Sequence, residues 1–559
     1  MPPVLPAAEE PVGEQAAETS APGRAAGIGR AAALIGGLTL LARILGFART
    51  VVFSGTVGSS CLGTAYVTAN QVPNIIYDIV LGGVLTAVVV PVLSGPAERA
   101  IADHDARGER DAISSALLTW TVLILVPVSL ALALAAGPVV SLLMPANPAS
   151  GCFRASLVPL AARMLAVFAP QILLYGLAVV CYGILQAHRK FTAPALAPVL
   201  SSLVVIAAYA LFVPLGQQYT TFVRGLPTAA ELTLSAGTTL GVAALVLTAI
   251  GPVWRLRLRL RPVLRFPPGV AGRARSLAGV GVAALIAQDA SVLVVTRLAN
   301  AHGGKEGAAV VLYSYGWQIF VSVYAVLAIP IAISAFPVLS ARKGTEFDAT
   351  AASATRLTAL ASWLGVALLV GAAFPIARAF PGLDILVAGP FGLALTAFAP
   401  GLVGYGLTAC LSRVLLADGR NRMAAIPLVA GWLLVIAVDV AAVPLVRPGL
   451  VVLVLGLANT IGMTASGIAL LIAVAKTRGA AALAGCWRAV GAGLAGAVAG
   501  AAVGLAITAA LHVYGHWVNA GVAVAAGTGS CVAFFLIVAL IDGGDLRNAV
   551  ARVRRRVAP

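Results

Sequence analysis

Along most of the chain, apolar residues follow one another in long runs. They show neither the strict alternation of a half-buried strand nor the single stripe of a soluble surface helix. Fourteen such runs can be placed, each long enough to cross a hydrocarbon core of roughly 30 Å as a helix. The first eight lie at 27–54, 63–94, 113–143, 157–187, 193–216, 231–254, 274–300 and 308–340. The other six lie at 350–379, 385–416, 423–446, 449–475, 485–512 and 517–541. Residues 1–26 hold four Glu, several Pro and no apolar run, and read as a disordered tail. The pattern predicts an all-α polytopic membrane protein with 14 transmembrane helices.

A repeat organises these segments. Ala169-Pro170 and Tyr175-Gly176-Leu177 in segment 4 recur as Ala399-Pro400 and Tyr405-Gly406-Leu407 in segment 10. Pro91-Val92-Leu93-Ser94 ends segment 2, and Pro337-Val338-Leu339-Ser340 ends segment 8. Both matches shift by six segments, an even number, so equivalent helices share an orientation. The division expected is a tail (1–26), an N-terminal lobe (27–254), a basic linker (255–273) and a C-terminal lobe (274–475). Two added helices (476–541) and a basic tail (542–559) follow. Two parallel six-helix lobes around a central site suit alternating access.

Composition agrees with the class: 60% of the 559 residues are hydrophobic and only 10% charged. That excludes a soluble enzyme, a disordered chain and a small disulfide scaffold. The net charge of +17 changes the picture only once it is mapped. With an inside N-terminus, 27 of the 37 basic residues fall in inside segments and 5 in outside loops. The positive-inside rule therefore places both termini in the cytoplasm. Nucleic-acid binding is not indicated, since no aromatic interleaving or soluble domain accompanies the charge.

The remaining basic residues lie within spans, where charge usually faces a cavity or a partner. Arg43 and Arg49 of segment 1 stand roughly 9 Å apart along the helix axis and can line one cavity wall at two depths. Guanidinium forks suit phosphate and stay charged at any physiological pH. In segment 2, Pro73 frees a carbonyl, Asn74 follows it, and Asp78 is a counter-ion or a titrating group. Arg297 in segment 7 either joins the cavity or reaches the outer interface; Arg163 and Arg356 sit near span ends, where snorkelling accounts for them. Asp289 and Asp439 are the acids placed well within segments 7–14. With Asn459 and Thr460 they offer hard oxygens to a cation such as Na⁺, or else form buried, protonated carboxyls. Cys61 and Cys152 fall in the first two outside loops, where a disulfide is permitted and two unrelated thiols are the alternative. The run Arg255-Leu-Arg-Leu-Arg-Leu-Arg261 either binds anionic headgroups or anchors topology. No metal-binding or nucleotide-binding signature appears, so no cofactor is expected, and membrane potential or an ion gradient would supply the drive.

The stretches ARILGFART, VPNIIYDIVLGGVLTAVVVPVLS and YGILQAHRKFTAPALAPVL resemble the MviN/MurJ family. These are lipid II flippases of the multidrug/oligosaccharidyl-lipid/polysaccharide exporter superfamily. The resemblance covers about residues 27–541, and VLGGVLTAVVVPVL is similar to the actinobacterial branch. It implies fourteen helices, a cationic central cavity and a lipid-tail groove formed by helices 13 and 14. It further implies a lipid-linked pyrophosphate precursor as substrate, contact with membrane lipids and the cell-wall synthesis machinery, and a place in the bacterial plasma membrane. Arg43 and Arg49 match the two family arginines of helix 1 that contact the pyrophosphate. The sequence departs from the family where it often carries charge: Thr64, Tyr77 with Asp78, and Gln318 stand there instead. Exporters of another polysaccharide lipid or a drug are the near alternatives. A membrane enzyme would want carboxylates in large outside loops, and these hold only Glu231, Glu306 and Asp384. A non-transporting scaffold has no positive signature.

Overall fold

The computed structural model describes residues 22–79, 93, 104–147, 151–264, 270–304, 309–511 and 515–557. Among these it is helical, with no strand. The N-terminal lobe holds α1 (Pro22–Thr56), α2 (Cys61–Asp78), α3 (His104–Leu134), α4 (Ala136–Leu143), α5 (Arg154–Phe168), α6 (Gln171–Ala187), α7 (Thr192–Gly216) and α8 (Thr228–Trp254). The C-terminal lobe holds α9 (Val270–His302), α10 (Ala309–Leu327), α11 (Ile329–Ala341), α12 (Gly344–Gly371), α13 (Ala373–Ala379), α14 (Ile385–Phe398), α15 (Gly401–Ala417), α16 (Asn421–Ala442) and α17 (Val451–Arg478). Finally α18 (Cys486–Ala510) and α19 (His516–Val557) pack on each other and on α12.

Twelve helical stretches among the described residues are long and apolar enough to span a membrane. They correspond to every expected segment except the second and seventh. Segment 2 lies partly outside the described residues, and its described half carries a polar face that lowers its hydropathy. The tail expected over 1–26 lies outside them up to residue 21, and α1 already begins at Pro22. At the other end the helix continues through Val557, where a basic tail was expected from 542.

Local sequence explains the helix ends. The Ser60 hydroxyl caps α2 by accepting from the Gly63 N–H at 3.1 Å. At its C-terminus α17 carries Lys476 and Arg478, which complement the helix dipole, before Gly479 at φ +81° ends it. The sequence repeat has a physical counterpart. Ala169-Pro170 interrupts segment 4 between α5 and α6, and Ala399-Pro400 interrupts segment 10 between α14 and α15. Proline lacks the N–H that would continue the ladder, so the same dipeptide breaks the same helix in each lobe. The N-terminal copy of the second repeat, 91–94, lies outside the described residues apart from Leu93.

The start of α1 and the far end of α19 lie on one side of the bundle, here the proximal side. On that side Arg488 near the start of α18 donates to the Ile541 carbonyl (3.1 Å). Arg478 there bridges Asp348 (2.9 Å) and Asp418 (3.3 Å) and lies over the Phe347 ring. The opposite, distal side carries the end of α1 and the start of α19, where His516 meets the Arg378 carbonyl at 3.1 Å. A disulfide joins Cys61 to Cys152 on the distal side, with Cα atoms 5.6 Å apart.

Candidate functional site

The two lobes touch on the distal side and part below it. Asn300 of α9 donates to the Thr68 hydroxyl and the Leu143 carbonyl, each at 3.0 Å. Asn147 returns the contact, donating to the Asn300 and Gly303 carbonyls at 3.0 Å each. The Ser54 hydroxyl bonds the Pro381 carbonyl, and Gly382 sits against it at φ +78°. A Cβ at 382 would meet the Ser54 carbonyl oxygen at 2.4 Å, so this approach requires glycine. Beneath lie packed rings from both lobes: Phe53, Tyr66 and Tyr209 on one, Tyr315 and Phe380 on the other.

On the proximal side of this seal a cavity of about 600 Å³ opens between the lobes. It is walled by α1, α2, α6, α7 and α8 from one lobe and by α9 and α10 from the other. Its charged lining, among the described residues, is Arg43, Arg49 and Asp78. Ala42, Arg43, Gly46, Arg49, Thr50 and Phe53 all face it, spaced as one stripe of a helix. Neither Arg43 nor Arg49 has an ion-pair partner among the described residues. Two guanidiniums without an ion-pair partner among the described residues, facing a single carboxylate, are groups with the charge and geometry to bind an anion, because field lines concentrate between low-dielectric walls.

Opposite them α2 presents Asn70, Asn74 and Asp78, each four residues after the last. The Tyr175 hydroxyl donates to the Asn74 Oδ1 at 3.1 Å, and its ring lies tilted against Tyr77 with centroids 4.3 Å apart. Toward the seal, the Tyr66 hydroxyl bonds Tyr209 (2.9 Å) and Thr238 (2.6 Å). Arg43, Arg49, Asn74 and Asp78 therefore meet in one place. Asn70, Gln71 and Tyr175 belong with them; the four-residue spacing of polar residues in segment 2 is the signal that marks the first of these. Tyr77 and Gln318 line the cavity without charge, whereas Thr64 is buried beside a small separate void with Asn147 and Asn300.

Arg297 is a correction. It does not face the cavity: its guanidinium donates to the Leu142 carbonyl of α4, and its neighbour Thr296 takes the cavity position. One residue along a helix turns the side chain by about 100°, enough to move it to another face. Arg163 also departs from simple snorkelling, forming a two-pronged pair with Glu231 at 2.8–3.2 Å.

The four oxygen-bearing residues proposed for a cation divide. Asp289, Asp439 and Asn459 are buried, on α9, α16 and α17, which pack against one another. Both Asp439 oxygens, one oxygen of Asp289 and both amide atoms of Asn459 have no hydrogen-bond partner among the described residues. Thr460 is committed elsewhere: its hydroxyl donates to the Ala397 carbonyl (2.7 Å) and accepts from the Gly401 N–H (3.1 Å) across the α14–α15 break. Among the described residues no cluster of three His, Cys, Asp or Glu could hold a metal ion.

Two helical lobes around a shared central cavity, sealed on one side, define a polytopic transporter fold. The profile of the lipid II flippase MurJ family matches residues 53–526, and the chain belongs to that family. A probable lipid II flippase MurJ from Synechocystis sp. is 30% identical over 241 residues, 42% of this chain and 41% of that protein. A lipid II flippase MurJ from Burkholderia cenocepacia is 29% identical over 185 residues, 33% of this chain and 34% of that one. The aligned stretches thus span less than half the length of these relatives. Among solved structures, a lipid II flippase MurJ in an inward closed conformation superposes with TM-score 0.68 at 17% identity, covering 91% of this chain and 98% of that one. An inward-facing multidrug resistance transporter, named as a MATE family member of the MOP superfamily, gives TM-score 0.62 at 17% identity, covering 81% of this chain and 98% of that one. The family match begins four residues after Arg49, so the case for the two arginines rests on the cavity itself.

Proposed function

We propose that this protein carries a lipid-linked peptidoglycan precursor, lipid II, from the inner to the outer leaflet of the bacterial plasma membrane by alternating access. The observation that carries the reading is the pair of arginines, without an ion-pair partner among the described residues, in a cavity shared by both lobes. Arg43 and Arg49 would hold the diphosphate at two depths while Asn70, Asn74 and Tyr175 offer amide and hydroxyl groups to its sugar. The distal hydrogen bonds of Asn147, Asn300 and Ser54 must break for release, and proximal contacts must replace them. No bond of the substrate is made or broken. The bias of basic residues supports a cytoplasmic proximal side with both termini there, and a role beside the cell-wall synthesis machinery follows from the substrate.

A cation gradient or the membrane potential would drive the cycle. Asp439 and Asn459, buried and with unmatched oxygens, together with Asp289, are the groups that would receive Na⁺; Thr460 drops out of that set. The test is depletion of the protein while lipid II accessibility at the outer leaflet is followed, with reconstituted vesicles as the control for redundant transporters. Loss of exposure on depletion, restored by the wild type and not by the Arg43→Ala, Arg49→Ala double variant, is expected. Full restoration by the double variant would overturn the reading.

A further inference from the structure

The alternating run after α8 has a structural role that its charge count does not reveal. Helix α8 ends at Trp254, and a turn with Arg257 at φ +50° redirects the chain. Residues 258–264 then lie as an extended strap along α3. Three backbone N–H groups fasten it: Arg259 to the Asp111 carboxylate (3.1 Å), Arg261 to the Ser115 hydroxyl (3.1 Å) and Val263 to the Thr119 hydroxyl (3.2 Å). The Trp120 indole N–H closes the series on the Leu264 carbonyl at 3.0 Å. The donors recur every two residues and the acceptors every four. Two extended residues advance about 6.7 Å and four helical residues about 6 Å, so the register holds over three bonds.

This fastening decides which side chains are displayed. Leu256 and Leu258 pack, as Tyr77 and Leu118 also do, against a buried cluster of α3 and α6 that includes Ile113, Leu117, Val180 and Ile184. Arg255, Arg257, Arg259 and Arg261 are left exposed, without an ion-pair partner among the described residues. The strap starts level with Asp111, at the polar end of α3, and finishes level with Trp120. Beyond Trp120 the exposed surface of α3 is apolar, through Leu123, Ile124, Val126 and Leu130. The arginine ladder therefore stands where the surface of α3 changes from polar to apolar, flanked by exposed Trp254 (83%), Leu260 and Leu264, the pattern expected at a hydrocarbon–headgroup boundary.

We propose that this strap is a docking site for anionic phospholipid headgroups of the leaflet on the proximal side, separate from the cavity that takes the transported lipid. Four cations on a fixed backbone, ringed by apolar residues at membrane depth, match a phosphate-bearing headgroup above an acyl surface. Leu256 and Leu258 pack on the same buried clusters as Tyr77, which lines the cavity, so lipid held on the strap would bear on the layer behind the cavity wall.

Trp254 serves as the reporter. The full chain is placed in phosphatidylcholine vesicles containing a minority of brominated phosphatidylglycerol or, in parallel, of brominated phosphatidylcholine. Emission is taken as the difference between the wild type and Trp254→Phe. Brominated phosphatidylglycerol is expected to quench that emission at a lower mole fraction, by about tenfold, than brominated phosphatidylcholine. The R255Q/R257Q/R259Q/R261Q variant should quench equally with both, and it retains the backbone fastening and both leucines. Asp111→Ala with Ser115→Ala, which detaches the strap and leaves every arginine, should also weaken the preference. Equal quenching in the wild type, or a preference that survives the fourfold variant, overturns the proposal. So does a preference abolished by Arg43→Ala instead, which assigns the lipid to the cavity, or by millimolar inorganic phosphate, which makes the ladder a site for free anion.

Discussion

Tyr175 and Tyr405 occupy the same place in the two copies of the repeat, five residues after the proline that breaks the helix. In the N-terminal lobe the phenol reaches into the cavity and donates to Asn74. In the C-terminal lobe the ring is wedged among Trp317, Phe320, Tyr324 and Trp432, with centroids 4.5–6.2 Å away. The backbone device is shared and its decoration is not. One lobe turns its inward face to a polar cavity lined by Arg43, Arg49 and Asp78; the other fills the equivalent space with aromatic rings and keeps Asp289 and Asp439 buried. The charged groups that line the cavity among the described residues therefore all come from one lobe, while the other contributes uncharged side chains to its wall.

This contrast can be tested from the largest effect downward. Arg43→Ala and Arg49→Ala are each expected to lower the rate of lipid II exposure about ten- to a hundredfold, the range for losing charge-assisted hydrogen bonds, with the unfolding temperature nearly unchanged. Measured flux in vesicles decides it, and a large stability loss would return the arginines to structure. Cys152→Ser opens a bridge that spans 91 positions, and should cost about 2–4 kcal/mol in the N-terminal lobe. Thermal melting with and without reductant checks this, since only the wild type should respond.

Asp439→Asn probes the sealed side. It removes a buried, unpartnered carboxylate, so the protein should become no less stable, while any dependence of transport on Na⁺ disappears. Transport that keeps its Na⁺ dependence in this variant removes Asp439 from coupling. The smallest effect belongs to the tyrosine pair. Tyr175→Phe loses one hydrogen bond in the cavity and should slow transport by a few-fold, roughly 0.5–1.5 kcal/mol. Tyr405→Phe keeps the ring that packs and should be silent in both flux and melting.

What the sequence reveals follows the physics of each feature. The spans and the repeat are legible because lipid demands long apolar runs and proline cannot be disguised. Arg43 and Arg49 stand out for the same reason, as charge where charge is costly. Arg297 misleads, since its exposure depends on helical phase against α4, which no single segment encodes. Segment 2 shows the opposite problem. Its run is long enough to read as a span, yet the polar stripe at Asn70, Asn74 and Asp78 that lines the cavity shows only as a four-residue spacing within it. Thr460 looks like a cation ligand until the break between α14 and α15 claims its hydroxyl. The latch of Asn147 and Asn300 joins residues 153 apart and has no local signal at all.

The bond between Cys61 and Cys152 has a use beyond stability. Thiols oxidise in the compartment outside the plasma membrane and stay reduced within it. All the distal loops share a side with this pair, so its redox state in living cells reports the orientation of the whole molecule. A single alkylation gel shift would thus read out, without tags or fusions, which way every helix points.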